Sequence, residues 1–307
     1  MRSIALACLL GLSLVGNARA QGYIPNRVYD AKAKRWIDFE QLAARAATSD
    51  VVFFGEEHDS FDTHRLELAL LAGVRRRRPQ ATVAMEMFER DAATPLAEYL
   101  AGTRTEEEFL ENSRPWPRYQ EHYRPLVEFA KAHGWPVVAS NAPRHLATLV
   151  SREGLAGLDT LDASERSLIA AELSCEPKGE YYDRFAAEMA TIPSHGTADT
   201  TAAGKAAQMV RIYQAQCLKD ETMAESVARA WTPGGLVIHF NGSFHTDRRL
   251  GTAERLARRL SDAKRLVVAA IPVPDLDRID PSKDDRKRAD ILLYVLAPND
   301  STQSIHQ

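Results

Sequence analysis

Cysteine is scarce in this 307-residue sequence, which contains three. Three cysteines are too few to build a disulfide-stabilised mini-protein, and no C-x-x-C pair is present to form a redox-active dithiol. Charge of one sign is not in excess either, because the formal net charge is −3, and we expect no nucleic-acid partner. Beyond the N-terminal segment, no apolar run approaches the roughly 18 residues of a membrane-spanning helix. We therefore expect a soluble globular chain.

Several catalytic signatures are also missing. The sequence contains no H-E-x-x-H, no G-x-S-x-G, no P-loop and no G-x-G-x-x-G placed after a strand. Their absence disfavours a zincin protease, a serine hydrolase, a P-loop NTPase and a Rossmann dehydrogenase. The composition, with 45% hydrophobic and 26% charged residues, is that of an ordinary globular protein.

Residues 1–20 have the pattern of a secretory signal peptide. Arg2 supplies positive charge, the run from Ile4 to Val15 is apolar, and Ala18-Arg19-Ala20 is a small-x-small cleavage site. We therefore expect cleavage after Ala20, a periplasmic location and one domain over residues 21–307. A lipid anchor at Cys8 is disfavoured, because almost no apolar segment precedes that cysteine.

Short apolar runs alternate with helical patterns along the rest of the chain. This alternation predicts an α/β fold in which a mostly parallel sheet is flanked by helices. The runs are rich in valine and continuously apolar, as in strands that are covered on both faces. Ser60 or Asp59 is expected to cap a helix that runs to about Arg77. The predicted strands are Val51–Phe54, Thr82–Met85, Pro136–Ser140, Leu236–Phe240, Leu266–Ile271 and, as a last edge strand, Ile291–Leu296.

The strand pattern stops after Asn141 and resumes after Trp231. The residues between have the pattern of helices and loops, which predicts a helical cap inserted over about residues 142–232. Cys175 and Cys217 lie in this insertion and are the two cysteines left once the leader is removed, so an oxidising compartment predicts a disulfide between them. The helices predicted in the insertion are Leu161–Leu173, Tyr181–Ala190 and Ala202–Ala230.

Polar side chains follow four of the predicted strands directly. In open parallel sheets, ligands bind at the carboxyl ends of the strands, so we expect these side chains to meet at one edge. The four segments are Gly55-Glu56-Glu57-His58-Asp59, Met85-Glu86-Met87-Phe88, Asn141-Ala142-Pro143-Arg144 and Asn241-Gly242-Ser243-Phe244-His245. Asn141 is therefore a candidate ligand-binding residue.

Two of these segments contain the pattern G-x-x-H, which places His58 and His245 at the ends of two strands. Together with a carboxylate from Glu56, Glu57 or Glu86, these histidines could hold a divalent metal ion with open coordination positions. The structural alternatives are a helix-capping role for His58 and a buried ion pair that Glu86 forms with the arginine of the third segment.

Two further side chains are candidates for the same site. Arg144 could bind an anionic substrate group or an oxyanion. His64 falls in the first turn of its helix and could point toward the strand ends as a further metal ligand. Glu67 shares a helix face with His64, and we expect that face to be solvated.

The remaining histidines give weaker signals. His239 lies inside a predicted strand and is expected in the core. Three others lie on or near predicted helices and are expected at the surface, namely His122, His133 and His145. His195 falls in a stretch between predicted helices and carries no assignment.

The ordered motifs resemble the ChaN family, the haem-binding uptake branch of the Tiki superfamily. The four strand-end segments, His64, the stretch Gln216–Ala224 and the stretch Asn241–Asp247 occur in the family's order from about residue 50 to residue 265. The resemblance implies an α/β core with a helical cap and a cell-envelope protein of haem or iron uptake. It also implies haem held between two protomers, iron bound by a tyrosine, and an outer-membrane or envelope uptake machinery as partner.

Tyr181 and Tyr182 are the candidates for the implied iron ligand. They lie in the insertion beside Asp183 and Arg184. A phenolate suits ferric iron, and Arg184 could meet a haem propionate. The alternative is that the two adjacent tyrosines are packing or exposed residues.

The wider Tiki superfamily also contains metal-dependent proteases. Their paired G-x-x-H segments and glutamate resemble His58, His245 and Glu86 of this sequence. The resemblance therefore implies an alternative function, a metal-dependent hydrolase in which the metal activates water. Glu86 or Glu57 would be the general base and Arg144 would steady the oxyanion.

Overall fold

The structure is a computed structural model that describes residues 23–191 and 201–297. The predicted signal peptide and His195 lie outside these residues. The strands are β1 Asn26–Asp30, β2 Arg35–Ile37, β3 Val51–Glu56, β4 Thr82–Glu89, β5 Val137–Asn141, β6 Val237–Gly242, β7 Arg265–Val273 and β8 Ile291–Leu296.

Twelve α-helices accompany the strands in the described ranges. They are α1 Phe39–Ala47, α2 Phe61–Arg75, α3 Ala93–Leu100, α4 Glu106–Ser113, α5 Tyr119–His122, α6 Arg124–Ala132, α7 Arg144–Glu153, α8 Ala163–Arg166, α9 Gly179–Thr191, α10 Ala202–Ala230, α11 Gly251–Arg259 and α12 Asp285–Arg288. Short 3₁₀ turns occur at Arg90–Ala92, Leu155–Thr160, Ser243–His245 and Asp247–Arg249. No helix within the described residues combines the length and the apolar character needed to cross a bilayer.

The eight strands form one sheet in the order β2-β1-β8-β7-β3-β6-β4-β5. Strands β3 to β8 are parallel, whereas β1 and β2 run antiparallel to their neighbours. The prediction of a mostly parallel sheet flanked by helices is confirmed. The expectation that Ile291–Leu296 is an edge strand is wrong, because β1 pairs with its outer side. The sequence pattern missed both strands because β1 is short and rich in polar residues and β2 has only three residues.

Alternate residues of the central strands supply two cores, one on each face of the sheet. In β3, Val52 and Phe54 face the core formed with α1, α2, α3 and α6. Val51 and Phe53 face the opposite core, which includes residues of α10 and α11. All four side chains are fully buried, and burial of each contributes roughly 1.5–3 kcal/mol. The continuously apolar strands are thus explained by helices on both faces.

The segment between β5 and β6 is helical, as predicted, but not throughout. Helices α9 and α10 match the predicted helices closely. The helix predicted over Leu161–Leu173 is wrong, because only Ala163–Arg166 is helical. The amides of Ala170 and Ala171 donate to side chains of α10 instead of continuing the helix. The C-terminal half of α10 buries alanine and valine side chains in one core of the sheet, so it belongs to the framework.

Cys175 and Cys217 form the disulfide that the sequence predicts. The bond joins the loop before α9 to the middle of α10. Both cysteines are buried, and the guanidinium of Arg255 donates to Cys217 Sγ at 3.2 Å.

Reduction of this disulfide is expected to destabilise the protein. The bond closes a segment with a sequence separation of 42 residues, for which chain entropy predicts about 4 kcal/mol. Urea denaturation with and without a reducing agent measures the difference in the free energy of unfolding. The double variant Cys175→Ala/Cys217→Ala is the control, because its stability should not respond to the reductant. Equal stability of the oxidised and reduced wild-type protein would contradict the expectation.

Candidate functional site

The two G-x-x-H segments lie side by side because β3 and β6 are parallel neighbours, with Glu56 in register with Gly242. A Cβ atom on Gly242 would lie 2.6 Å from His58 Nε2, and a Cβ atom on Gly55 would lie 3.0 Å from the Cα of Ser243. The first distance is shorter than real Cβ contacts, and the second is at their short limit. Each glycine therefore makes room for the segment that follows the other strand.

A first cluster of charged side chains surrounds Glu56, which is 1% exposed. Its Oε1 accepts hydrogen bonds from His58 Nδ1 at 2.8 Å and from the Tyr123 hydroxyl at 2.9 Å, while its Oε2 lies 3.1 Å from His64 Nε2. Burial alone would raise the pKa of Glu56, but hydrogen bonds from the two histidines hold it well below its usual range. Glu56 is thus a buried carboxylate that neighbours orient through both oxygens.

Glu67 completes this first cluster from the next turn of α2. It is fully buried, and no N–H or O–H group of the described residues donates to either of its carboxylate oxygens. Burial, the charge of Glu56 and a hydrogen bond that the neutral acid makes to the Glu56 carboxylate raise the pKa of Glu67 well above its usual value. Ligand atoms of Glu56, His64 and Glu67 all lie within 4.8 Å of one another. The expectation of a solvated face is wrong, because α5 and α6 pack against α2 here.

His122 is also buried, although the sequence suggested a surface position. It is 3% exposed, and its ring centroid lies 4.5 Å from that of His64. Burial, with a smaller contribution from the charge of His64, lowers the pKa of His122. The difference arises because α5 covers α2, which helical spacing alone does not reveal. His145 is exposed as expected, and His133 is half-buried.

A second cluster is centred on His245, which lies between two buried carboxylates. Its Nε2 is 3.1 Å from Glu86 Oε1, and its Nδ1 is 2.7 Å from Asp220 Oδ1. Burial favours the neutral ring, but the two negative charges outweigh it and raise the pKa of His245 to about 10. The same ion pair, opposed by burial, lowers the pKa of Glu86 to about 2. His245 is therefore an imidazolium that donates from both nitrogens at neutral pH.

The carboxylates of the second cluster have donors for their other lone pairs. Asp220 accepts from the hydroxyl of Thr252 at 2.8 Å and from the hydroxyl of Tyr181 at 2.6 Å. Glu86 Oε2 accepts from the backbone amide of Gly242 at 2.8 Å. Such a fully paired network is rigid and stabilising, in contrast to the first cluster, where Glu67 has no donor.

The structure divides the predicted metal ligands between the two clusters. His58 and His64 both face Glu56, whereas the ring nitrogens of His245 face Glu86 and Asp220. His58 also lies near the second cluster, and the charges of Glu56 and Glu86 outweigh burial and raise its pKa. The described residues instead bring Glu56 and His64 together with Glu67, which the sequence reasoning did not select.

Arg144 does not join either cluster. Its side chain is 74% exposed at the start of α7, and Glu89 Oε1 lies 3.8 Å from its Nε. The alternative of an ion pair with Glu86 is not formed, because Glu86 pairs with His245. An oxyanion-binding role for Arg144 therefore has no geometric support in the described residues.

Glu57 and Asn141 have local partners. Glu57 Oε1 accepts from the hydroxyl of Ser243 at 3.2 Å, and burial raises its pKa. Asn141 is buried at the end of β5, where its side-chain oxygen accepts from the amide of Ala142 at 2.8 Å. Glu57 thus lies beside the second G-x-x-H segment, whereas the Asn141 oxygen caps its own chain.

The two candidate tyrosines have different surroundings. Tyr181 is 5% exposed, and its hydroxyl hydrogen bond to Asp220, added to burial, raises its pKa well above the usual value. Tyr182 is half-buried and packs edge-on against Tyr213, with ring centroids 5.0 Å apart. Arg184 lies 3.8 Å from a carboxylate oxygen of Asp247. Because residues i and i+2 do not share a helix face, Tyr182 and Arg184 project in different directions from α9.

His239 is confirmed as a core residue. It is fully buried in β6, where its ring contacts the hydroxyl of Ser140 and the side chain of Asn241, both at 3.0 Å. Burial lowers the pKa of His239 to about 4, so the ring is neutral. It therefore links β5 and β6 beneath the site.

Sequence reasoning missed Asp220, Glu67 and Tyr123 as site residues. Asp220 lies 25 residues before His245, and no local spacing connects the two. A usable signal was the acidic pair Asp220 and Glu221 within an otherwise apolar face of α10. For Glu67 the signal was its position one turn after His64. No sequence pattern distinguishes Tyr123 from other buried tyrosines, so its contact with Glu56 could not be predicted.

The charge of His245 is expected to make stability depend on pH. Its pKa rises from 6.5 to about 10 on folding, so the folded chain binds more protons between these values. The stabilisation is complete below about pH 6.5 and is lost as the pH rises toward 10. Urea denaturation at several pH values from 7 to 10 should show this loss in the wild-type protein.

The variant His245→Gln should show a weaker loss over the same pH range. At pH 7 it should be less stable by about 3–5 kcal/mol, because two buried carboxylates lose their counter-charge. His145→Gln, which changes an exposed histidine, is the matched control. If wild type and His245→Gln lost stability equally with rising pH, the imidazolium assignment would be wrong.

Comparison with known proteins supports the resemblance. The sequence model of the family described as haem-binding uptake, Tiki superfamily, ChaN matches residues 42–256. The fold is similar to that of a solved structure described as cofacial heme binding to ChaN of Campylobacter jejuni, with a TM-score of 0.62 and 16% identity over 89% of this chain and 97% of that one. At that identity the likeness shows the fold alone.

A curated relative comes from a plant. The chain is 25% identical over 280 residues to Protein RETICULATA-RELATED 5, chloroplastic, of Arabidopsis thaliana, which covers 81% of this chain. It spans only 35% of that longer protein. Because the family match extends over more than half of the sequence and includes both G-x-x-H segments, this chain belongs to the haem-binding uptake family ChaN of the Tiki superfamily.

Proposed function

We propose that this protein binds haem in the cell envelope and serves haem or iron uptake. The observation that carries the proposal is the family match over residues 42–256, which includes both the strand-end segments and the helices α9 and α10. The Campylobacter jejuni ChaN binds haem cofacially. By analogy, two copies of this chain would hold haem between them, and an envelope uptake machinery would be the transport partner.

Tyr182 fits the role of iron ligand better than Tyr181. Ferric haem iron accepts a tyrosine phenolate as axial ligand. The Tyr181 hydroxyl is buried and donates to Asp220, so forming its phenolate would break that bond beside a negative charge. The hydroxyl of Tyr182 has no hydrogen-bond partner among the described residues, and the ring is half-buried.

An aromatic surface beside Tyr182 suits a flat apolar ligand. Tyr182, Phe244, Leu250, Met189 and Met209 are partly buried around a small core that includes Tyr213. Such a surface can cover a porphyrin face by burial of apolar area. Arg184 leaves α9 in a different direction from Tyr182, but it lies 5.9 Å from the ring of Phe244 and so borders this aromatic surface; we propose it as the positive charge for a propionate.

Hemin titration tests the proposal. We expect the wild-type protein to shift the Soret band of hemin, and Tyr182→Phe to lose most of that shift. Tyr181→Phe is the matched control, because it removes a neighbouring hydroxyl that is hydrogen-bonded to Asp220 and should retain the shift. The Tyr181→Phe variant should lose only stability. Its free energy of unfolding should fall by about 1–3 kcal/mol, because a buried carboxylate loses a donor.

The outcomes of the titration are distinct. No spectral change with wild-type protein would refute haem binding. Loss of the Soret shift in Tyr181→Phe but not in Tyr182→Phe would show that Tyr181 is the iron ligand. Sedimentation of the hemin complex then tests the cofacial arrangement, for which we expect dimers that form only with hemin.

Export of the chain is a separate prediction. When the full sequence is produced in a bacterium with a Sec pathway, the protein should be recovered from the periplasmic fraction with Gln21 as its first residue, as N-terminal sequencing would show. A chain that begins at Cys8 and carries lipid would instead establish a membrane anchor. A chain retained whole in the cytoplasm would contradict the leader assignment.

We do not propose the metal-dependent hydrolase. Nothing in the described residues favours it over haem binding, since both nitrogens of His245 are paired with carboxylates and Arg144 is exposed.

A further inference from the structure

The first cluster contains a feature that haem binding does not explain. Glu67 is fully buried beside Glu56 and His64, and no group of the described residues donates to its carboxylate. We propose that Glu56, His64 and Glu67 bind one divalent transition-metal ion at a site separate from haem. The site lies beneath α5 and α6, whereas the tyrosines proposed for haem lie on α9.

The distances between the three side chains suit one ion. Metal–ligand bonds of about 2.0–2.2 Å place neighbouring ligand atoms roughly 3–4 Å apart. Glu56 Oε2 and His64 Nε2 are 3.1 Å apart, and the atoms of all three residues lie within 4.8 Å. Small side-chain rotations therefore bring Glu67 into coordination range.

Neighbouring groups hold the first carboxylate in a ligating orientation. Glu56 Oε1 is occupied by His58 and Tyr123, which leaves Oε2 to face His64. Metal-binding carboxylates and imidazoles are held by outer partners in this way. The rings of Tyr123 and His122 pack against His64 with centroids 4.8 Å and 4.5 Å away, and they limit its movement.

The charges also favour a cation. Two carboxylates this close in a buried site repel each other, and burial penalises a charge that has no partner. A divalent ion neutralises both carboxylates, whereas a proton shared between Glu56 and Glu67 neutralises only one. Two carboxylates with one imidazole suit Zn²⁺ or Mn²⁺ better than Ca²⁺, which prefers six to eight oxygen ligands.

The experiment is a metal titration of the full mature chain without haem. Metal-stripped protein is titrated with Zn²⁺ and with Mn²⁺ by calorimetry, and bound metal is counted by elemental analysis. We expect one equivalent per chain and a higher melting temperature in the metal-bound form. Glu67→Gln should weaken binding at least roughly 100-fold, because loss of outer partners alone costs about 10–100-fold.

Two further variants make the test specific. His64→Gln should lose binding as Glu67→Gln does, and Glu67→Gln keeps the test decisive if His64→Gln does not fold. Glu86→Gln, which alters the second cluster, is the matched control and should retain one equivalent. Haem binding should persist in Glu67→Gln, so a failure of the metal proposal is distinguishable from a failure of the haem proposal.

Three results would overturn the proposal. Wild-type protein that binds neither ion indicates a shared proton instead. Equal affinity of wild type and Glu67→Gln removes Glu67 from the site. Loss of metal in Glu86→Gln with retention in Glu67→Gln places the ion at the second cluster.

Discussion

The close contact between the ends of β3 and β6 is the constraint on which the site depends. Gly242 lies where the two clusters approach each other, because a Cβ atom there would lie 2.6 Å from His58 Nε2 and 3.7 Å from Glu86 Oε2. A side chain at this position would therefore meet a residue of each cluster. Glycine is required not for an unusual backbone angle but for the space that the neighbouring side chains occupy.

The two clusters handle buried charge in opposite ways. Around His245, each carboxylate has several donors, and the resulting ion triad joins α10, β4 and the segment after β6. Around Glu56, the donors all reach one carboxylate and leave Glu67 without any. The arrangement around His245 is suited to holding the fold in one conformation. The arrangement around Glu56 leaves Glu67 without a donor among the described residues, and this is the feature for which the proposed metal ion accounts.

Sequence reasoning succeeded where burial determines the pattern. Each of the strands β3 to β8 contains an apolar run, and α9 and α10 have clear helical character, so most of them were predicted close to their observed bounds. Strand β4 is the exception, because it continues beyond the predicted end at Met85 to Glu89. From these strands the sequence also predicted the fold class and the position of both G-x-x-H segments at strand ends. Helical spacing shows which residues share a face but not what covers that face, so Glu67 and His122 were placed in solvent. The partnership of Asp220 with His245 depends on tertiary packing and has no local signal.

The position of the disulfide on α10 places it next to the His245 cluster. Cys217 lies one turn before Asp220, so its bond to Cys175 fixes the part of the helix that carries a counter-ion of His245. The same cysteine accepts a hydrogen bond from Arg255, whose guanidinium lies over the ring of Tyr181. One covalent bond, the helix, the ion triad and the tyrosine are therefore neighbours in a single packed unit. A compartment that oxidises thiols would thus add a covalent link beside the buried charges of this half of the site.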